Sequence, residues 1–254
     1  MSKVYLVGAG PGDPELLTIK GWKAIKKADV IIYDRLVNKE LLKYANRDAE
    51  LIFCGKSPNS HTIRQEKINE LLCVFAKQNK TVTRLKGGDP FIYGRGGEEA
   101  EVLATNGIPF EIVPGITSGI AAPAYAGIPL THRNYSSSVT FITGHNPEKD
   151  TPEYWRNLTS GVETLCIYMG IKQIPVICEK LINHGMDPDM PIAIIHWGTR
   201  EEQTTITGTI STITSSLYKV DNPSMIIIGK VVLLREELKW FAERETMLGM
   251  PTST

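Results

Sequence analysis

Short β-branched apolar runs alternate with helix-length segments through the first half of the chain, and this alternation restricts the fold more than any other feature. The runs fall at residues 4–7, 30–33, 51–53, 81–85 and 110–113. Between the third and fourth, residues 64–78 carry Ile68, Leu71, Leu72 and Phe75 at i, i+3, i+4 and i+7. That spacing is the apolar stripe of a helix that buries one side. Strands separated by helices imply βαβ units and a mainly parallel sheet covered on both faces. Ligands of such sheets collect beyond the carboxyl ends of the strands, so the turns after each run are the places to look for chemistry.

The second half shows another series of strand-like runs, at 139–143, 164–168, 192–195, 204–207 and 225–228, with helices over 174–182 and near 235–242. A hairpin among them points to a mixed sheet. The expected architecture is α/β with two domains, 1–134 and 135–254, divided at residues 127–135 within the Pro/Gly/Ser-rich stretch 114–138. Residues 249–254 read as a frayed tail.

Composition narrows the function classes. With 28 basic and 28 acidic residues, no global field draws the chain to nucleic acid or a membrane surface, and any anion site must be built locally. Cys54, Cys73, Cys166 and Cys178 form no CxxC pair and sit in or beside apolar runs. They are expected to be small buried hydrophobes, not zinc ligands or a disulfide framework. Met1-Ser2-Lys3 leads straight into a strand, and no apolar stretch reaches membrane-spanning length. A cytoplasmic protein with no bound metal is expected.

The first strand ends in Gly8-Ala9-Gly10-Pro11-Gly12-Asp13-Pro14. Alternate glycines allow positive φ and close approach of a ligand to the backbone. Asp13 stands where a dinucleotide fingerprint needs glycine, and no Gly-Lys-Ser/Thr follows, so two nucleotide-binding classes are excluded. The plainer reading is a tight turn with Asp13 capping a helix that starts at Pro14 or Glu15. A denser cluster runs from Arg84 to Glu99, with Gly87-Gly88-Asp89 and Gly96-Gly97 among three cations, Arg84, Lys86 and Arg95, all assigned to one loop after a strand. An Asp beside exposed backbone amides and carbonyls suits a zwitterion such as the methionine moiety of S-adenosylmethionine; a surface loop leading into a helix is the alternative. Val113-Pro114-Gly115-Ile116-Thr117-Ser118 repeats the strand–turn–helix arrangement, with Thr117 or Ser118 as a cap or a ligand contact. Tyr168-Met169-Gly170 suits a flat ring, or simply core packing.

In this order and spacing the motifs resemble the tetrapyrrole (class III) methyltransferases, most of all the uroporphyrinogen-III C-methyltransferases. The likeness also rests on Tyr33-Asp34-Arg35-Leu36-Val37, Leu130-Thr131-His132-Arg133 and residues 138–145, continues more weakly through Trp197-Gly198-Thr199 to Gly229, and spans nearly the whole chain. It implies two α/β domains, a homodimer, and S-adenosylmethionine in a cleft between the domains, with S-adenosylhomocysteine as product. Cofactor contacts carry over to Pro11, Gly87, Gly88, Asp89, Ile92, Thr117, Ser118, Met169 and Gly198. Catalytic acid–base roles carry over to Asp34 and Lys56, which follow the second and third strands. The implied reaction is two C-methylations of uroporphyrinogen III, at C2 and C7, giving precorrin-2 for sirohaem or cobalamin, by a monofunctional enzyme. Arg35, Arg95 and Arg133 are the candidate forks for the substrate's eight carboxylates. His196-Trp197 and Pro58 depart from the family pattern and weaken the carry-over near Gly198 and Lys56. A class III enzyme for a later corrin precursor, diphthine or ribosomal RNA, and a non-catalytic S-adenosylmethionine sensor, are the alternatives.

Overall fold

The computed structural model describes residues 3–55, 64–144 and 150–243. The chain divides into two compact units, Met1–Ser118 and Gly119–Thr254, each built on its own five-stranded sheet.

In the first unit, strands β1 (Val4–Gly8), β2 (Val30–Tyr33), β3 (Glu50–Phe53), β4 (Val82–Lys86) and β5 (Phe110–Val113) lie in the order β3-β2-β4-β1-β5. Every pairing is parallel, as the βαβ reading requires. Alternate residues supply two cores. Val4, Leu6, Val30, Ile32 and Val82 face one way, where α2 (Gln65–Lys77) contributes Ile68 and Leu72 and α3 (Gly96–Thr105) contributes Leu103. Tyr5, Val7, Ile31 and Leu85 face the other, against Ile25 of α1 (Ile19–Lys26) and Leu41 of the 3₁₀ helix Lys39–Tyr44. The stripe expected over 64–78 is the buried side of α2, with Leu71 and Phe75 partly buried beside it.

Arg84 and Lys86 are not loop cations. Both lie within β4 and are buried on the α2/α3 side, where Glu99 of α3 meets them. Glu99 Oε1 accepts from Arg84 Nε at 3.0 Å, Lys86 Nζ at 2.8 Å and Gln65 Nε2 at 3.1 Å, while its Oε2 has no hydrogen-bond partner among the described residues. Arg84 Nη1 also donates to the Ile32 carbonyl at 3.3 Å. Burial, with the neighbouring guanidinium next, draws the Lys86 ammonium below its usual range. Two cations thus share one carboxylate, and this cluster joins the last residues of β4 to the first turns of α3. The nine residues 87–95 are thereby anchored at both ends.

In the second unit, β6 (Val139–Thr143), β7 (Thr164–Tyr168), β8 (Pro191–His196), β9 (Thr204–Thr209) and β10 (Ser224–Ile228) take the order β6-β7-β10-β8-β9. β6 and β7 are parallel and the other pairings antiparallel, so the sheet is mixed, with β8 and β9 as the hairpin. α5 (Pro152–Ser160) and α6 (Ile174–Asn183) cover one face through Trp155, Leu158, Ile174, Ile177 and Leu181. All four cysteines are free and buried, and burial pushes the Cys166 thiol up to about 12 and Cys178 to about 11. No helix among the described residues is long and apolar enough to cross a membrane.

Two boundaries fall elsewhere than the sequence suggests. Residues 119–134 group with the second unit, because the contacts of α4 (Ser118–Tyr125) lie there. The Gly119 N–H donates to the Tyr168 hydroxyl at 3.0 Å, and Trp240 Nε1 donates to the Ala124 carbonyl at 2.9 Å. The final helix, α7, spans only Arg235–Leu238; Lys239 is extended, and Trp240 and Glu243 are held by side-chain hydrogen bonds to Ala124 and Arg235.

The buried cluster sets a stability test. Glu99→Ala leaves two buried cations without an anion and is expected to cost about 3–5 kcal/mol. Lys86→Met retains the Arg84–Glu99 pair and is expected to cost less than about 1.5 kcal/mol. Denaturant unfolding of both variants, read as a difference in midpoint, checks the contrast.

Candidate functional site

The carboxyl ends of β1, β4 and β5 meet with glycine backbone against glycine backbone. A Cβ added to Gly8 would lie 2.5 Å from the Gly115 nitrogen and 2.6 Å from the Gly88 oxygen, and one added to Gly115 would lie 2.4 Å from that same oxygen. The Gly10 N–H donates to Gly88 O at 3.2 Å, the Gly88 N–H donates to Gly10 O at 2.7 Å, and Ala9 N–H donates to Lys86 O at 2.7 Å. Gly10 and Gly88 have φ of 79° and 69°, a region that favours glycine. Pro11 is therefore held on a turn bonded to the 87–89 loop. As the sequence suggests, Asp13 caps the short helix Pro14–Leu16, its Oδ1 accepting from Glu15 N–H at 2.8 Å.

Asp89 bridges two turns. Its Oδ1 accepts from Phe91 N–H at 2.8 Å and its Oδ2 from Gly115 N–H at 2.9 Å. Each oxygen keeps a second acceptor direction. Thr117 is buried and Ser118 begins α4; Gly88 packs beside both, an ideal Cβ there lying 3.7 Å from Thr117 Cα and 3.9 Å from Ser118 N. Ile92 is half-buried in the same β4–α3 connection. Asp34, at the end of β2, accepts from Leu36 N–H through Oδ1 at 3.0 Å and from Gly87 N–H through Oδ2 at 3.4 Å. The structure thus gathers Asp34, Gly87, Gly88, Asp89, Thr117 and Ser118 at one edge of the first sheet.

The remaining candidates are placed differently. Arg35 is exposed beside Asp34. Arg95, at φ 58°, pairs with Glu98 through Nε at 2.8 Å and Nη2 at 2.7 Å. Arg133 is exposed in a turn of the second unit closed by His132 and Ser136, not in the first domain as expected. Lys56 lies outside the described residues.

Met169 and Gly198 follow β7 and β8, whose common antiparallel partner β10 makes them point the same way, so both turns lie at one edge of the second sheet. Met169, Trp197 and Thr199 have φ of 53°, 47° and 71°. Such conformations cost about 1–3 kcal/mol each in non-glycine residues and persist only where the surroundings impose them. Gly144 admits the Gly170 backbone, and Gly198 admits Ala122, whose Cβ would be 2.4 Å from an added Cβ. The Arg200 guanidinium lies 4.7 Å from the centre of the Trp197 ring.

Sequence reasoning missed the burial of Arg84 and Lys86. The signal was present: an i, i+2 pair of cations before a glycine turn, with a glutamate on the following helix.

Residues 3–214 match the family of tetrapyrrole (corrin/porphyrin) methylases. A uroporphyrinogen-III C-methyltransferase of Priestia megaterium is 61% identical over 235 residues, covering 91% of this chain and 99% of the relative. A siroheme synthase of Acinetobacter baylyi is 52% identical over 240 residues, which make up 94% of this chain and 52% of that protein. Among solved structures, a uroporphyrin-III C-methyltransferase of Thermus thermophilus complexed with S-adenyl homocysteine superposes with a TM-score of 0.79 at 36% identity, over 92% of this chain and all of the other. The five-stranded parallel sheet, the mixed second sheet and a match over most of the length agree: the chain belongs to the tetrapyrrole (corrin/porphyrin) methylase family and is a methyltransferase.

Proposed function

We propose that this methyltransferase uses S-adenosylmethionine to C-methylate uroporphyrinogen III twice, at C2 and C7, giving precorrin-2 and S-adenosylhomocysteine. The observation that carries the proposal is the side-chain-free junction of Gly8, Gly88 and Gly115, with the Asp89 carboxylate set into it. A zwitterionic amino-acid moiety fits such a cradle, since backbone groups can reach its carboxylate and the open acceptor directions of Asp89 its ammonium. When bound, the sulfonium supplies an electrophilic methyl group that needs alignment more than activation. Pro11, Gly87, Gly88, Asp89, Ile92, Thr117 and Ser118 in the first unit, and Met169 and Gly198 in the second, are the proposed contacts.

The reaction asks two further things of the protein. A ring carbon that attacks a methyl group leaves positive charge on the pyrrole, which is relieved by loss of a proton. Asp34, fixed by the Leu36 and Gly87 amides, is the proposed base, or the anion that faces this charge. The substrate's eight carboxylates need cations, and Arg35, Arg95, Arg133 and Lys56 are proposed for them; Glu98 already orients Arg95. The names of the relatives support this substrate. Methyl transfer is the only activity proposed, in keeping with the match to 99% of the Priestia megaterium relative. A cytoplasmic homodimer is proposed on the family likeness, and the product serves sirohaem or cobalamin synthesis.

Incubation with S-adenosylmethionine and anaerobically generated uroporphyrinogen III should add two methyl groups by mass and give a precorrin-2-type chromophore. No methylation despite cofactor binding would shift the substrate to a later corrin precursor. Asp34→Ala is expected to lower turnover at least about 100-fold while S-adenosylhomocysteine binding stays near that of the parent; unchanged turnover removes Asp34 from the reaction. Asp89→Ala, which frees the Phe91 and Gly115 amides, is expected to weaken S-adenosylhomocysteine binding about 10-fold or more by calorimetry.

A further inference from the structure

The turn at Trp197-Gly198-Thr199 is held by a chain of polar groups, buried at Thr199 and Gln203 and half-buried beyond, that ends far away in sequence. The Thr199 N–H donates to Gln203 Oε1 at 2.6 Å, and Gln203, fully buried, donates through Nε2 to Glu243 Oε1 at 2.8 Å. That same oxygen accepts from Thr205 Oγ1 at 2.6 Å, and Glu243 Oε2 accepts from Arg235 Nη2 at 2.8 Å. Arg235 in turn donates through Nη1 to the Ala126 carbonyl. Every link lies within the second unit.

The chemistry of the links gives the chain a direction. A glutamine amide presents an acceptor at one end and donors at the other. A carboxylate at position 243 accepts only, so it turns the donor end of Gln203 toward itself and the oxygen toward Thr199. Thr199 is a β-branched residue at φ 71°, and Trp197 two residues earlier is at 47°. Neither conformation is favoured by the residue itself, so the turn depends on its partners. The hydrogen bond that the Thr199 N–H donates to Gln203 is one of these supports, and Glu243 sets the orientation of the accepting amide.

We propose that Glu243 is a positioning residue for the cofactor: acting through Gln203 and Thr199, it fixes the backbone of the turn that presents Gly198. This rests on the proposed contact between Gly198 and S-adenosylmethionine. Glu243 itself does not touch the reacting groups. Its side chain instead couples the segment after α7 to that turn, and the loss of Glu243 leaves the Gln203 amide free to invert.

Calorimetric titration of S-adenosylhomocysteine into the full chain tests this, with parent, Glu243→Ala, Glu243→Gln and Thr205→Val compared. Glu243→Ala is expected to weaken binding about 10-fold or more. The KM for S-adenosylmethionine should rise in parallel, and kcat at saturating cofactor should stay within about two-fold, a split that general destabilisation does not produce. Thr205→Val, which removes one donor to the same oxygen, should have a smaller effect in the same direction. Binding by Glu243→Ala within about two-fold of the parent overturns the relay. Should the alanine variant fail to fold, Glu243→Gln decides: one acceptor cannot serve both Arg235 and Gln203, so weakening of about three-fold or more supports the relay and unchanged binding overturns it. Absence of binding by the parent would instead overturn the proposed cofactor, and with it the role assigned to Glu243.

Discussion

The contact of three glycine backbones at the carboxyl edge of the first sheet is the constraint on which the rest of the site depends. A side chain at Gly8 or Gly115 would run into the backbone of the other and into the Gly88 carbonyl, and Gly88 itself holds a positive φ, so the turns after β1, β4 and β5 form one surface of amides and carbonyls. Parallel strand order makes this possible: β4 and β5 flank β1 directly, and all three end on the same side. Asp89 then tethers the β4 turn to the β5 turn through the Gly115 amide, and Asp34 tethers it to β2 through the Gly87 amide. Two carboxylates thus serve as backbone clamps and still hold acceptor capacity for a ligand.

The ion cluster beneath this surface has a geometric consequence. Arg84 and Lys86 end β4, and Glu99 sits early on α3, so their contact closes the 87–95 connection at its base. Burying two cations with one anion gives a less favourable core than an apolar replacement could. The cluster is therefore poorly explained by stability alone. It is better explained by the position it imposes on the loop, because charge pairs in a dry interior tolerate little displacement of their partners.

Much of this was legible in the sequence where burial dictates periodicity. The strand limits of β2, β5, β6 and β7 coincide with the apolar runs, most plainly in β2, where Val30, Ile31 and Ile32 are all buried. The turns were legible too, since Gly10 and Gly88 adopt the positive φ that glycine permits. Charge misled the reading at β4, where two cations at i and i+2 resemble a loop until a partner on another element is known. The unit boundary was obscured in the same way: the Pro/Gly-rich stretch marks where the chain is irregular, but the contacts of Gly119 with Tyr168 and of Ala124 with Trp240 decide which sheet it joins. The end of α7 was misplaced because Trp240 and Glu243 have distant partners that outweigh local helix propensity.

The two units solve the same problem of close backbone approach by different means. In the first, glycine occupies the left-handed positions where the β1 and β4 turns meet, Gly10 and Gly88, and the conformation is intrinsic to the residue, although Tyr93 and Arg95 further along the β4–α3 connection take positive φ without it. In the second, Met169, Trp197 and Thr199 adopt positive φ without that freedom. A turn made of such residues can carry side chains where glycine offers none, at the expense of requiring support from elsewhere. The support for Thr199 is traceable residue by residue to Gln203 and Glu243. That dependence makes residues remote from the turn part of its geometry, and it explains why the Trp197-Gly198-Thr199 triplet cannot be judged from its own sequence: its partner Gln203 is itself bonded to Glu243, forty residues further along the chain.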